Sequence, residues 1–424
     1  MNNIRVVVTG LGIIAPNAHG INQFEKALRE GKSGIRFLPH LEELKFRCCV
    51  GGIPENLDEI AQIYFSTDIL YVLNESMKYS GIAAIDAWKD AGFCIPNEED
   101  HAINWDAGAI IGTGIGGADT LGKIIPQVNS GRTRRLGSSV VEQTMSSSVS
   151  ARLSGFLALG NQVTTNSSAC STGTEAVIMG YERIKNGKAE RMLCGGAEGS
   201  SPYIWAGFDA MRVLNSSKND APEQASRPMS ASAAGFVPGA GAGILLLENL
   251  ESALKRGAKI YAEILGGAVN SGGQRKGGSM FAPNSEGVQR CIKMAVEASG
   301  IDPQQIDAIN GHLTATMADP IEIENWAKAL NCSPKNFPYI NSTKSLVGHC
   351  LGAAGGVECI ASVLQLYKGF VHGSLNCEDL HETIRPYEKS VVQKTIEKEI
   401  NTLVKASFGF GDVNSCLIFK KFES

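Results

Sequence analysis

The chain has 424 residues, a formal net charge of −4 and 43% hydrophobic residues, the profile of an ordinary soluble globular protein that forms two domains or one large α/β unit. No basic excess points to nucleic acid, and no apolar run is long enough to span a membrane. Its eleven cysteines are scattered without CxxC or zinc-site spacing, which fits free thiols in a reducing cytoplasm better than a disulfide scaffold.

The first apolar run, Arg5–Thr9, reads as a buried strand, and Gly10-Leu-Gly12 as a tight turn after it. The weak basic start imitates a signal peptide, but the glycines interrupt any apolar signal helix. Helix-like Asn22–Glu30 follows. Further β-type runs are Gly108–Gly112, Gln162–Thr165, Met192–Cys194, Gly243–Leu247 and Ile260–Leu265. Ile306–Asn310, Pro338–Asn341, Leu403–Ser407 and Ser415–Phe419 complete the set. Helical patterns lie between many of them, such as Val357, Ile360, Ala361 and Leu364 at three- and four-residue spacing. Such alternation implies an α/β fold whose sheets are covered on both faces. The charged stretch Glu378–Glu399 reads as a solvated surface excursion before the last strands.

Two segments, Gly10-Leu-Gly12-Ile-Ile-Ala15 and Gly112-Thr-Gly114-Ile-Gly-Gly117, match the glycine pattern of dinucleotide sites. Neither is followed by a strand ending in an acid, so close backbone packing explains them better than nicotinamide binding.

A weak internal repeat is present. Val163–Thr165, then Cys170, then an apolar helix from Gly173 to about Ile184 form one unit. Tyr339–Asn341, then His349, then the Gly352–Gly356 helix start form another, and a duplicated half would set the two face to face. Cys170 sits at a small-residue helix start, where the positive helix end favours thiolate; an inert buried cysteine is the competing reading. His312 follows a strand at its carboxyl end, where functional groups collect in α/β sheets. Thr314 and Thr316 follow at a spacing suited to hydrogen bonding an extended ligand. Lys344, amid small residues, needs a carboxylate partner, for which Glu322 and Glu358 are candidates. His19, His40, His101, His372 and His381 carry no pattern.

Cys170 in SACSTG, His312 in NGHLTAT and His349 in STKSLVGHCLGAAGGVE resemble the β-ketoacyl-acyl carrier protein synthases, the elongating condensing enzymes of fatty-acid synthesis. VVVTGLGIIAPNA, GTGIGG, GFVPGAGAGILLLE and SFGFGDVNSCLIFKK are similar too, so the resemblance runs in order along the whole chain. It implies a thiolase fold: two similar halves, 1–255 and 256–424, in a five-layer αβαβα sandwich, as a cytoplasmic homodimer. It implies an acyltransferase that condenses a Cys170-bound acyl chain with malonyl-acyl carrier protein, with no cofactor and no metal. The partner is acyl carrier protein with its phosphopantetheine-linked groups. By resemblance, His312 and His349 hold the enolate, and the N–H groups of Cys170 and Phe410 form the oxyanion hole. Lys344, Asp319, Glu322 and Glu358 form the charged set behind the histidines. Thr314 and Thr316 hold the pantetheine arm, and Ile115 lines the acyl tunnel.

Thiolysis needs a second cysteine near the C-terminus; Cys416 falls in a strand pattern and lacks the Cys-x-Gly loop. A non-catalytic chain-length partner typically loses the nucleophile that stands here. The chain departs from the fatty-acid pattern at Asp412-Val413, where Gly-Thr is usual, and at Phe281, where a small hydroxyl residue is expected. Asp319-Pro-Ile-Glu322 is similar to polyketide synthase usage, so a specialised polyketide or polyene ketosynthase is the alternative. Phe65–Lys78 is poor in basic residues, leaving Arg132, Arg134, Arg135 and Arg212 as candidate contacts for an acidic carrier protein.

Overall fold

A computed structural model of the chain describes residues 4–97, 99 and 101–423. Its centre is one sheet built from all ten apolar runs. The strands are β1 (Val6–Ala15), β2 (Ala107–Gly112), β3 (Val163–Thr164), β4 (Arg191–Glu198), β5 (Gly241–Asn249), β6 (Ala262–Ser271), β7 (Ala308–Asn310), β8 (Tyr339–Asn341), β9 (Thr402–Gly409) and β10 (Val413–Lys420). Their spatial order is β8-β7-β9-β10-β6-β1-β5-β4-β2-β3.

Read outward from the centre, the first five strands run β1-β5-β4-β2-β3 and the second five run β6-β10-β9-β7-β8, the same order by position in each half. The directions match as well. β2 is parallel to β3 and β4, as β7 is to β8 and β9. The β4–β5 and β5–β1 pairs are antiparallel, as are β9–β10 and β10–β6. Val6–Val8 of β1 pairs with Ala262–Ile264 of β6 and joins the two.

Six helices cover the sheet: α1 (Glu75–Asp90), α2 (Ser148–Leu157), α3 (Thr172–Lys185), α4 (Ser285–Ser299), α5 (Asp319–Ala329) and α6 (Ala354–Lys368). The strand period of two sorts side chains between layers. Leu246 packs outward with Met77, Ile82 and Leu153 of α1 and α2, while Leu245 and Leu247 face Val177 and Ile360 of α3 and α6. In the other half Val404 and Ile418 pack outward with Ile292 and Trp326, while Leu403 and Leu417 face the central helices. The result is the expected five-layer αβαβα sandwich, with α3 and α6 as its middle layer.

The glycines of Gly10-Leu-Gly12 do not make the expected turn; they continue β1 to Ala15. A Cβ on Gly10 would lie 2.1 Å from the Ala87 carbonyl, and one on Gly12 1.8 Å from that of Ala83. Glycine is there because α1 lies directly on the strand. The middle layer is equally close: a Cβ on Gly173 would lie 2.6 Å from the Gly356 N, and one on Gly355 2.2 Å from the Thr174 N. Only glycine lets the amino ends of α3 and α6 meet.

The stretch Glu378–Glu399 also differs from expectation. Its charges face outward, but Leu380, Ile384, Val391 and Val392 are buried, and the Ile340 N–H donates to the Ser390 carbonyl at 2.8 Å. The segment covers the edge beside β8, because its apolar residues are spaced between the charges. Among the described residues no helix is long and apolar enough to cross a membrane.

Candidate active site

The two sequence repeats have become two matching corners. After β3 the chain enters a short 3₁₀ turn, Ala169–Ser171, and then α3; before α6 it makes the corresponding turn, Leu351–Ala353. Ala169 and Leu351 are non-glycine residues with φ of 49° and 48°, a left-handed conformation that costs energy and is held by its surroundings. At the first corner the Ser168 N–H donates to Thr172 Oγ1 at 2.8 Å, and Thr172 Oγ1 donates to the Ala169 carbonyl at 2.6 Å. The effect is to lift Cys170 to the amino end of α3, opposite His349 at the start of the other corner.

Cys170, His312 and His349 converge: their donor atoms lie within 4.8 Å of one another, all three buried. The imidazoles meet edge to face with centroids 5.4 Å apart. Phe236 packs on His349 and Phe408 on His312, at 5.2 and 6.3 Å between centroids. Burial, aided by the nearby Lys344 and Lys405 ammonium groups, holds both histidines well below the usual imidazole range, so both rings are neutral. The Leu351 N–H donates to His349 Nδ1 at 3.2 Å. That fixes the tautomer, because Nδ1 must offer a lone pair and Nε2 therefore carries the proton. His349 Nε2 and His312 Nδ1 are buried without a partner among the described residues.

Cys170 differs from the sequence expectation of a thiolate. Burial pushes its thiol up to about 11, outweighing the lowering effects of Lys344 and of the hydrogen bond from the Phe410 backbone N–H. The helix end is present, but desolvation is the larger effect. Gly409 lies so close that a Cβ there would be 3.0 Å from the Cys170 N. The N–H groups of Cys170 and Phe410 are thus neighbours at the sulfur.

The carboxylates behave as anchors for backbone. Glu322 accepts the N–H groups of His312 and Leu313, both at 2.8 Å, and Trp326 Nε1 at 3.2 Å. Asp319 accepts from Thr314 at 2.8 Å, Ala315 at 3.0 Å and Met229 at 2.8 Å. Together they clamp the loop that carries His312. Burial raises both carboxyls, Glu322 to about 7. Thr314 and Thr316, half-buried, touch through their hydroxyls at 3.0 Å. Lys344 pairs with Glu358, the candidate partner that it reaches, and both are buried.

Other expected residues lie apart from this cluster. Ile115 is exposed, and its N–H donates to Glu198 at 3.2 Å. Arg132, Arg134, Arg135 and Arg212 are exposed on the surface. Phe281 is exposed and packs edge-on against Phe410 at 5.4 Å, and Phe208 also meets the Phe410 ring, at 6.1 Å between centroids. Asp412 is buried and accepts the N–H groups of Gln274 and Asn284, both at 2.8 Å. It therefore ties the loop bearing Phe281 to the loop bearing Phe410.

Among the buried charges that escaped the sequence reading, two bear on this site. Glu198 accepts from Gly114 at 2.7 Å and Gly352 at 3.0 Å, fastening the Gly112–Gly117 loop to the His349 corner. Lys405, fully buried in β9, reaches Glu358 at 2.9 Å. The available signal was a charge among small or apolar residues: Glu198 closing the run Met192–Ala197, and Lys405 as the one charge in β9.

Descriptions of the β-ketoacyl synthase N-terminal and C-terminal domains match residues 3–253 and 261–378. The 3-oxoacyl-[acyl-carrier-protein] synthase 1 of Haemophilus influenzae is 35% identical over 99% of both chains, and that of Escherichia coli 34% over 99% of both. The chloroplastic synthase I of Arabidopsis thaliana is 33% identical over 99% of this chain and 87% of its own. Among solved structures, the ishigamide ketosynthase/chain length factor superposes with a TM-score of 0.89 at 26% identity, over 99% of this chain and 100% of that one. A type II polyketide synthase acyl-carrier protein in complex with its ketosynthase gives 0.87 at 27%, over 100% of both chains. With this fold and these matches, the chain belongs to the β-ketoacyl synthase family of condensing acyltransferases and has the thiolase fold.

Proposed function

We propose that the protein is a 3-oxoacyl-acyl carrier protein synthase of fatty-acid elongation, with Cys170 as nucleophile and His312 and His349 as donors to the enolate. The observation that carries this is one thiol and two neutral imidazoles within 4.8 Å in a buried pocket. Relatives bearing that activity in their names align with essentially the whole chain.

In the first step Cys170 Sγ bonds to the thioester carbonyl carbon of the acyl-carrier protein. Negative charge moves to the carbonyl oxygen, which the N–H groups of Cys170 and Phe410 receive. The bond to the pantetheine sulfur then breaks, and that sulfur takes up the proton given up by Cys170. In the second step the bond between the malonyl carboxylate and the α-carbon breaks, carbon dioxide leaves, and the electron pair forms an enolate. His349 Nε2–H and the N–H of His312 hold the enolate oxygen. The enolate carbon attacks the acyl-Cys170 carbonyl, the C–S bond breaks, and the departing thiolate takes up the one solvent proton that the overall condensation consumes. Glu322 positions His312 through its backbone N–H, and Asp319 through the loop residues that follow, Thr314 and Ala315. Thr314 and Thr316 receive the pantetheine arm, and Ile115 lines the acyl tunnel.

The repeat of strand order supports a division into halves 1–255 and 256–424. A cytoplasmic homodimer is the expected state: β3 ends the sheet with one side unpaired, and Ile115, Ile125, Val141 and Met145 are exposed apolar residues in the same half. Acyl carrier protein is the partner that delivers both substrates, with Arg132, Arg134, Arg135 and Arg212 as its candidate contacts.

The aromatic contact of Phe281 with Phe410, and the Asp412 tie between their loops, favour a second reading. In it the enzyme is a specialised polyketide or polyene ketosynthase whose entrance selects an unusual acyl chain. Purified protein given acyl- and malonyl-carrier protein should release carbon dioxide and form a 3-oxoacyl product two carbons longer. A scan of primers by length and unsaturation separates the two readings. Release of acetyl-CoA from a 3-oxoacyl-CoA without any malonyl substrate would overturn both, and so would turnover that requires a second subunit carrying the nucleophile.

A further inference from the structure

Behind the histidines, two ammonium groups share one carboxylate. Lys344 and Lys405 are both buried, and Glu358 lies between them, its Oε1 on Lys344 and its Oε2 2.9 Å from Lys405 Nζ. The other contacts of Lys405 Nζ are neutral, the Ala406 carbonyl and Ser407 Oγ at 3.1 Å. The Lys344–Glu358 pair would balance without Lys405. Its addition leaves a net positive charge out of contact with water, a costly arrangement that packing alone does not explain.

The placement of Lys405 relates it to the nucleophile. Alternate residues of β9 share a face, so Lys405, Ser407 and Gly409 point the same way. Ser407 Oγ meets Thr174 Oγ1 of α3 at 2.9 Å, and Gly409 abuts Cys170. The Lys405 backbone therefore lies roughly 13 Å along the strand from Gly409, the residue against Cys170, four residues at about 3.3 Å each. The titratable groups around this charge are Lys344, Glu358, Glu322, Glu198, His312, His349 and His372, with Cys170, Cys350, Cys359 and Cys416. Glu322 gives its oxygens to the N–H groups of His312, Leu313 and Trp326 instead of to either ammonium group.

We propose that Lys405 is a positioning residue whose charge keeps His312 and His349 unprotonated while the enolate is present, so that the rings hold the enolate oxygen without protonating its carbon. This rests on the decarboxylative reading given above. A neutral imidazole N–H hydrogen bonds to an enolate and retains its proton; an imidazolium is a far stronger acid. With an imidazolium in the site, a C–H bond would form on the enolate carbon at the expense of the N–H bond. The product would be acetyl-carrier protein, with Cys170 still acylated, instead of a new C–C bond. The Lys405 charge lowers both histidines, after burial and Lys344 for His349 and after burial, Lys344 and the neighbouring imidazole for His312.

The test is Lys405→Met, which keeps the length and removes the charge. Malonyl-carrier protein is given to acylated enzyme between pH 5 and 8, and the ratio of acetyl-carrier protein to 3-oxoacyl product is measured. In the wild type, condensation should dominate throughout. In the variant the acetyl fraction should rise on the acid side and its onset should move to higher pH, because removing a positive charge makes both imidazoles easier to protonate. An unchanged pH dependence of that ratio would overturn the proposal. Imidazole carbon and nitrogen resonances give a second measurement on the wild type alone. Both rings should stay neutral to pH 5, and midpoints near 6.5 would overturn the proposal even if the variant fails to fold. If neither protein releases carbon dioxide from malonyl-carrier protein, the functional reading itself fails, and the proposal with it.

Discussion

Replacing Glu358 with glutamine keeps the shape of the side chain and removes the carboxylate that pairs with both buried lysines. Lys344 is already held below the usual lysine range, chiefly by burial, and Glu358 is the main influence opposing that. Without the carboxylate, the cheapest state is one in which Lys344 gives up its proton. At pH 7 that costs about 4.5 kcal/mol, from about 3.4 pH units below the unfolded value at about 1.4 kcal/mol each. The figure agrees with the roughly 3–5 kcal/mol lost when a buried pair is stripped of one partner. The sign gives a second check. A lysine with a depressed folded pKa binds fewer protons folded than unfolded, so the penalty shrinks by about 1.4 kcal/mol per pH unit as pH rises toward about 10.4. Denaturant unfolding of wild type and Glu358→Gln at pH 7, 8 and 9 measures both quantities. A loss under about 1 kcal/mol, or one of full size that does not change with pH, would refute the account of the buried triad.

Glu322→Gln puts an amide N–H₂ against a backbone N–H that the carboxylate now accepts, so the loop carrying His312 should shift. Malonyl decarboxylation should fall at least about tenfold with acyl transfer less affected, in steady-state assays of each half reaction. Gly355→Ala places a Cβ 2.2 Å from the Thr174 N and must separate α3 from α6. It should cost about 1–3 kcal/mol in unfolding and about 100-fold in condensation; wild-type turnover would show that the close crossing is dispensable. Burial brings His372 down to about 4. Its contribution is present above an unfolded value of about 6.5 and is lost as pH falls toward 4, about 3 kcal/mol in all. His372→Gln should flatten the acid limb of stability against pH by that amount, and an unchanged limb would contradict the assignment.

The sheet was legible because each strand is an apolar run, and the run, not its ends, carries the hydrophobic signal. Ends were misjudged where packing replaced hydrophobicity with smallness. Gly10 and Gly12 read as a turn, yet they belong to β1 because α1 lies against them. Gly195, Gly196 and Ala197 likewise extend β4 beyond the expected Met192–Cys194, and a Cβ on Gly196 would lie 2.3 Å from the Gly352 carbonyl. In Glu378–Glu399 the charges drew attention from the spaced apolar residues that bury themselves. At the site, the three side chains that converge could be named from local motifs, each being a strand handing over to a small-residue turn. The state of the thiol could not, because desolvation is a property of the packed molecule and here it outweighs the helix end. Lys405 was overlooked for the same reason, since only the fold places it on Glu358.

The central claim is that the acyl chain is carried on Cys170. Intact and peptide mass spectrometry after incubation with acyl-carrier protein tests it most directly. The expected result is one acyl adduct per chain, on the peptide containing Cys170, absent from Cys170→Ala and discharged on addition of malonyl-carrier protein. An adduct on another residue, or an adduct of equal yield in Cys170→Ala, would contradict it.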